Sequence, residues 1–594
     1  MRHPYLAILA AILANAPAWG DEKTPLVINP PTTPQEVWAG YDPTAEPLEM
    51  EVVKRWKQFD ANYAEVYFTG MTHEGEKVRV YGIFAAPMGG KNLPAVLHIH
   101  GGGQTVAPTW LKFWNDRGYA AMTFNWGGKW PGRDKYTLWG KLPQGNNGET
   151  GKFLMATEPS VHSSSWYLWT RISRRALTTL AAMPEVDSEK LGIYGVSVGG
   201  TIVWPVAAMD KRVKAACAIY GCGWHTYPDL LDEKDVQAAV PSVRVWRSAM
   251  ESESYAPLVR CPILFLNATN DHHGKMDWSF RTLALVPGEH RQAHTPRFRH
   301  HIAASEEQDL PLWMDTYLKN APSWPETPAA TVRLTSDGVP ELVVKADGKE
   351  PIATAKLFYA VENRNSKNRF WRSAIAMRTG DEWVALLPVH DTREPLFAFA
   401  NVHYKRGMSI GTDLVAVVPD KLGPAKATDQ PSLAIEDFKN GIDDFLTTST
   451  ATDPVAPVPS LIVAAMGPGG RKGVAVSGPI SIVSHKIGDP KWRGPTGATL
   501  QFDVFAREGK TQKLSLHEKE FVIGHTEYTT ERPLTAGRWA TFSFSPGDFK
   551  TKDGKVLKGW DQINMLELKP SGANSPLEAV YTDFRWVLPA APGK

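Results

Sequence analysis

Cysteine is almost absent from this chain: Cys217, Cys222 and Cys261 are the only three in 594 residues. A chain this long with so few thiols cannot be built on a disulfide framework, so its stability has to come from large apolar cores. We expect all three as buried thiols in or beside central strands, with a Cys217–Cys222 bridge as the alternative. A long apolar run is also missing. The stretch Leu6 to Leu13 falls well short of the roughly 20 residues that a membrane-spanning helix needs, and no later segment comes closer, so no membrane span is expected. Net charge is nearly nil, with 65 Lys and Arg against 63 Asp and Glu. Without a basic stripe there is no electrostatic case for a nucleic-acid partner, and a small neutral or weakly charged substrate fits better.

What is present is the composition of a folded protein, 43% apolar and 22% charged, in a chain too long for one core. Length alone suggests about three or four domains. Arg2 and His3 before the apolar stretch, then Ala18 and Gly20 spaced as the small residues ahead of a signal-peptidase cut, predict a signal peptide over residues 1–20. The mature chain would begin near Asp21 and be secreted or periplasmic. Proline-rich punctuation follows at Ala321 to Pro328 and Pro419 to Pro431, while Thr447 to Pro459 reads as a long loop inside the last module.

Before residue 328, apolar runs at Arg79–Ala86, Pro94–Ile99, Tyr119–Phe124, Leu191–Tyr194, Lys214–Tyr220 and Pro262–Leu266 alternate with helical periodicity, notably Trp166 to Met183. That alternation predicts an α/β domain over 21–328, a doubly wound and mostly parallel sheet behind an N-terminal extension. Beyond it the helical signal fades. Lys356–Ala360, Trp383–Pro388, Leu396–Tyr404, Thr499–Phe505, Trp539–Phe544 and Ile563–Leu568 read as strands joined by turns. Two antiparallel β-sandwich modules are expected, an immunoglobulin- or fibronectin-like one over 329–425 and a jelly roll over 430–592.

The sharpest motif is Gly195-Val196-Ser197-Val198-Gly199, directly after an apolar run and before a small-residue helix. G-x-S-x-G in that context is a nucleophile elbow, a strand turning into a helix with Ser197 at the bend. His100-Gly101-Gly102-Gly103 follows another strand, so the Gly102 and Gly103 amides, with that of Val198, could form an oxyanion hole. Each such donor contributes on the order of 3 kcal/mol to lowering an acyl-transfer barrier. A serine hydroxyl also needs a base, and the base needs an anion to hold its tautomer. In this order of elements the acid comes first and the histidine last. Asp271, in Asn267-Ala268-Thr269-Asn270-Asp271 after a strand, is the acid candidate, with Asp277 as the alternative. For the base, Arg299-His300-His301 offers two neighbours, of which we place His300 first and His301 second. Asp271, His272, His273 and Asp277 could also be read as metal ligands, but adjacent histidines rarely converge on one ion. No metal and no cofactor are expected. Trp126, Trp130, Trp139, Trp166, Trp169 and Trp224 all fall near predicted strand ends, and flat rings of this kind can stack on sugars or pack a core.

On the motifs His100-Gly101-Gly102-Gly103, Leu191 to Gly200, Asn270-Asp271 and His300, residues 79–319 resemble the α/β-hydrolase superfamily, in the branch of acetyl xylan esterases and dienelactone hydrolases. Dienelactone hydrolases carry cysteine where this chain has Ser197. Glu436 to Gly441, Arg538 to Phe542 and Tyr581 to Trp586 are similar to strands of jelly-roll carbohydrate-binding domains. The resemblance implies a serine esterase with a small-molecule or polysaccharide ester as substrate; it sets no oligomeric state. A prolyl-oligopeptidase-like serine peptidase and a non-catalytic polysaccharide-binding envelope protein are the competing readings.

Overall fold

A computed structural model describes residues 30–129, 133–145, 150–222, 239–447, 462–476, 481–518, 526–569 and 579–589. The expected leader, Trp130 and Trp224 lie outside these ranges, and among the described residues no helix is long and apolar enough to cross a membrane.

The first unit is built on a nine-stranded sheet. Two hairpins open it. Strand β1 (Glu51–Gln58) turns into β2 (Ala61–His73) through Phe59 and Asp60, and β2 into β3 (Glu76–Pro87) through Glu74 and Gly75. All four turn residues have positive φ, the two-residue hairpin geometry whose twist matches that of the strands it joins. Six parallel strands follow: β4 (Leu93–Ile99), β5 (Ala120–Phe124), β6 (Val186–Val196), β7 (Val213–Ile219), β8 (Ile263–Ala268) and β9 (His290–Thr295). The order is β1-β2-β3-β5-β4-β6-β7-β8-β9.

Both faces are covered, which is why the central strands are buried almost throughout and largely apolar rather than alternating. Helices Ser165–Ala181 and Val198–Met209 pack on one face through Trp169, Ile172, Ile202 and Trp204, while Pro108–Asn115 and Asp309–Lys319 cover the other through Trp110, Trp114, Trp313 and Met314. From β4 the chain steps to β5 on one side and then crosses to β6 on the other. The carboxyl ends of β4 and β6 therefore flank the crevice where an open α/β sheet ordinarily places its ligand.

Two pairs of antiparallel sheets come next, so the chain is an α/β-hydrolase unit followed by β-sandwiches. In the first pair, Ala329–Leu334, Pro340–Lys345, Glu382–Leu386 and Met377–Thr379 face Arg372–Ala374, Ile352–Val361, Leu396–Tyr404 and Ser409–Gly411, the last sheet also carrying Val415–Val417. In the second, Thr499–Ala506 alternates strictly between buried and half-buried positions and lies between Trp539–Phe544 and Ala579–Val587, opposite a sheet that includes Ile482–Ser484, Thr511–His517, Glu527–Pro533 and Met565–Lys569.

The first sandwich is not tethered loosely. Leu310, Trp313 and Met314 of the hydrolase unit share one continuous core with Trp324, Leu357, Tyr404, Met408 and Ile410. Beside it, Met276 and Phe280 pack with Phe358, Trp371 and Phe399. Across that contact Arg369 makes a bidentate pair with Asp277 at 2.8 and 3.0 Å, both side chains sealed from solvent. Arg372 in turn bonds Asp429 and Asp489, joining the first sandwich to the connecting segment and to the second. All three cysteines are buried, and burial pushes the Cys261 thiol up to about 12.

Removing one partner of a fully buried ion pair leaves the other charge uncompensated. Asp277→Ala should therefore cost about 3–5 kcal/mol, read as a lowered urea midpoint for a transition in which the hydrolase unit and first sandwich unfold together.

Candidate active site

The elbow at Ser197 begins with steric crowding. Ser197 has φ 58° and ψ −116°, a sparsely populated conformation for a side chain of any size, and its amide donates to Ile219 O at 2.8 Å. A Cβ on Gly199 would lie 1.9 Å from Ile99 O, and one on Gly195 would lie 2.2 Å from Gly199 O. The ends of β4 and β6 can approach this closely only with glycine at both positions, and the approach turns the Ser197 hydroxyl out of the sheet at the start of helix Val198–Met209.

Facing it is the loop after β4. A Cβ on Gly102 would be 3.3 Å from Val198 Cγ2, which places Gly102 against the residue that follows Ser197. Gly103 takes the left-handed region at φ 71°. The Gly101 amide is already engaged with Gln104 Oε1 at 2.6 Å, so it is not a free donor. Val198 is the first residue of its helix, where amides have no intrahelical acceptor. His100 stacks on Trp126 with ring centres 5.0 Å apart, its Nδ1 lies 2.8 Å from Gly101 O, and its own carbonyl accepts from the Trp126 indole. Burial lowers the His100 imidazole to about 3, so it shapes the loop as a neutral ring.

The loops after β8 and β9 bring the remaining candidates together. His300 Nε2 lies 2.9 Å from Ser197 Oγ, and His300 Nδ1 lies 2.5 Å from Asp271 Oδ2. The second oxygen of Asp271 accepts the amides of His273 and Gly274, each at 2.6 Å. A carboxylate that satisfied cannot swing away, and being an acceptor it calls for the proton on Nδ1, which leaves Nε2 free to accept from the serine. Tyr220 and His272 lie against the His300 ring, at 4.5 and 4.6 Å between centres.

The alternatives go elsewhere. Asp277 is held by Arg369, and His301 stacks on Phe298 at 5.2 Å, where burial lowers its imidazole to about 4. Of the four residues read as possible metal ligands, His273 Nε2 is bonded to Thr201 Oγ1 at 2.9 Å, so with Asp277 held by Arg369 the set does not converge. Asp271, His272 and His300 do offer donor atoms within 4.8 Å of one another, but two of those atoms face each other in the hydrogen bond just described. Trp126, Trp139, Trp166 and Trp169 are all buried, with Trp169 tilted against Trp126 and edge-on to Trp166; these four rings pack the core.

Residues 34–290 match the family model for acetyl xylan esterase (AXE1). The match covers less than half of the chain. It takes in Ser197 and Asp271 and stops short of His300 and both sandwiches. Among solved structures, the acetyl xylan esterase of Paenibacillus sp. R4 is 18% identical, covers 46% of this chain and 91% of its own, and has a TM-score of 0.36. Acetyl xylan esterase 1 of Thermoanaerobacterium sp. JW/SL YS485 is also 18% identical, over 46% of this chain and 88% of its own, at 0.33. A putative dienelactone hydrolase of Klebsiella pneumoniae is 20% identical over 43% and 99%, at 0.29. No curated protein matches the sequence. The family match makes the hydrolase unit a carboxylic-ester hydrolase, with two sandwiches behind it.

Several residues around this candidate site carry no signal in the sequence. Gln104, Tyr220, Arg297 and Arg369 belong to no motif, and the last two have partners more than 70 residues away.

Burial holds His100, His294 and His301 neutral, at about 3, 3 and 4 against an ordinary 6.5. The unfolded chain therefore binds more protons than the folded one once pH falls below 6.5. Stability should be fully present above that value and should fall progressively toward pH 4. A series of urea midpoints checks this, and His294→Gln should flatten the slope.

Proposed function

We propose that this chain is a secreted serine carboxylic-ester hydrolase that removes acyl or methyl esters from polysaccharides, with Ser197, His300 and Asp271 as its triad. The observation that carries the reading is the unbroken line of hydrogen bonds from Asp271 through His300 to Ser197. In this mechanism His300 Nε2 takes the hydroxyl proton as Ser197 Oγ attacks the ester carbonyl. The amides of Gly102, Gly103 and Val198 receive the developing oxyanion, and Asp271 stabilises the imidazolium. His300 then gives its proton to the departing alkoxide, leaving an acyl-enzyme and a free alcohol. Water, deprotonated by the same nitrogen, attacks the acyl carbon and regenerates Ser197 with release of the acid.

The polysaccharide part of the proposal rests on the family of the esterase domain and on the jelly-roll resemblance of the last module. Secretion rests on the leader-like sequence ahead of Asp21.

Hydrolysis of short-chain aryl esters tests the chemistry. Ser197→Ala should lose at least about 10⁴-fold in kcat, and Asp271→Asn about as much, because the asparagine holds the wrong tautomer. A screen of acetylated, feruloylated and methyl-esterified polysaccharides should give release that Ser197→Ala lacks. Cleavage of peptide amides but not esters, or turnover surviving Ser197→Ala, would overturn the reading.

A further inference from the structure

Neither sandwich contributes a residue to the Asp271–His300–Ser197 line, yet the first bonds to both loops that carry Asp271 and His300, and the second to the His300 loop. The β8–β9 ladder ends at Ala268 and Thr295. Past its end the two chains stay stitched: the Thr269 amide donates to Thr295 O, the Arg297 amide to Thr269 Oγ1 at 2.7 Å, and the Asn270 amide to Phe298 O at 3.0 Å. Arg297 sits in the middle of this seam, three residues before His300.

Its backbone is in the left-handed region, at φ 65°, which a residue with a long side chain adopts only where its surroundings impose it. The side chain shows what imposes it. Nε donates to Asp443 O at 2.7 Å, Nη1 to Trp371 O at 2.8 Å and to Ser373 Oγ at 3.1 Å, and Nη1 faces Asp444 Oδ1 at 3.5 Å. Trp371 and Ser373 belong to the first sandwich, Asp443 and Asp444 to the second. One buried guanidinium therefore grips both modules while its backbone sets the direction of the loop.

The neighbours act in the same sense. Phe298 packs on Val483 and Met565 of the second sandwich and stacks on His301, which assigns that ring to the module contact. On the acid side, Asn270 Nδ2 donates to Lys367 O and Arg369 O of the first sandwich, at 3.0 and 2.7 Å.

We propose that Arg297 is a positioning residue for His300, and that through it the two sandwiches form part of the working esterase site. The inference rests on the triad reading. A planar fork with several donors in fixed directions suits the task in a way an ammonium does not. Since a displacement of about 1 Å at a catalytic group can lower a rate about 10²-fold, losing the grip should be felt in turnover rather than in substrate binding.

The test uses the full chain, with kcat and KM on an aryl ester and the number of fluorophosphonate-labelled sites per molecule. Arg297→Ala should lower kcat by about 10- to 100-fold with KM within about 3-fold, still labelling one site per chain but more slowly. Arg297→Lys and Asp444→Asn should each show a smaller loss of the same kind, about 3- to 10-fold. Wild-type kcat in Arg297→Ala would overturn the proposal. So would a loss accounted for wholly by fewer labelled sites with unchanged turnover at each, the mark of a merely structural role. Should Arg297→Ala yield no soluble protein, Arg297→Lys decides in its place by the same criteria. Ser197→Ala, run in parallel, separates the two claims: activity or label surviving it removes the triad, whereas Arg297 fails alone when Ser197→Ala is inactive and the Arg297 variants turn over normally.

Discussion

Backbone crowding at the carboxyl ends of β4 and β6 is the constraint on which the site depends. Two strand ends and a helix start approach until no side chain fits between Gly199 and Ile99 O, and the chain can pass only through a strained turn. Ser197 occupies that turn. Holding it there costs on the order of 1–3 kcal/mol, a strain that a small exposed loop could not sustain and a doubly covered sheet can. The same crowding sets the glycine loop after β4 beside Val198, so the candidate nucleophile and the candidate oxyanion donors come from one packing event.

The candidate base and acid arrive by a different route. They sit on loops after the last two parallel strands, at the edge of the sheet where nothing on the far side would hold them if the hydrolase unit stood alone. The sandwiches supply that missing side. Met276 and Phe280 pack under Trp371 and Phe399, Asp277 is locked to Arg369, and Arg297 reaches backbone carbonyls of both modules. Loops at a sheet edge are ordinarily among the least stable parts of a domain. Here they lie in an interface of continuous apolar core and buried ion pairs, so their mobility is restrained by residues remote in sequence.

This division explains what could be read in advance. The α/β pattern and the trailing sandwiches were legible because apolar periodicity is local, and Ser197 stood out because a strand, a bend and a helix lie within a dozen residues. Asp271 was accessible through its place after a strand. Nothing local separates His300 from His301: the His301 ring stacks on Phe298, which packs against Val483 and Met565 far along the chain. Strands β1 and β2 escaped notice because β1 is an exposed edge strand, Val52-Val53-Lys54-Arg55-Trp56-Lys57, without the alternation that marks a half-buried strand. The tryptophans misled in the opposite sense, since rings near strand ends can equally fill the core, and the four described ones do. No spacing rule could have pointed to Arg297 or Arg369, whose meaning lies in partners on other modules.

The central claim is that His300, rather than His301, carries a proton on Nδ1 held by Asp271. Proton NMR of the full chain reads it directly, as a far-downfield imidazole resonance from a short, charge-assisted hydrogen bond. The account predicts one such resonance, abolished by His300→Gln and by Asp271→Asn and retained in His301→Gln. A spectrum without it, or one in which it disappears with His301, would contradict the arrangement on which the esterase reading is built.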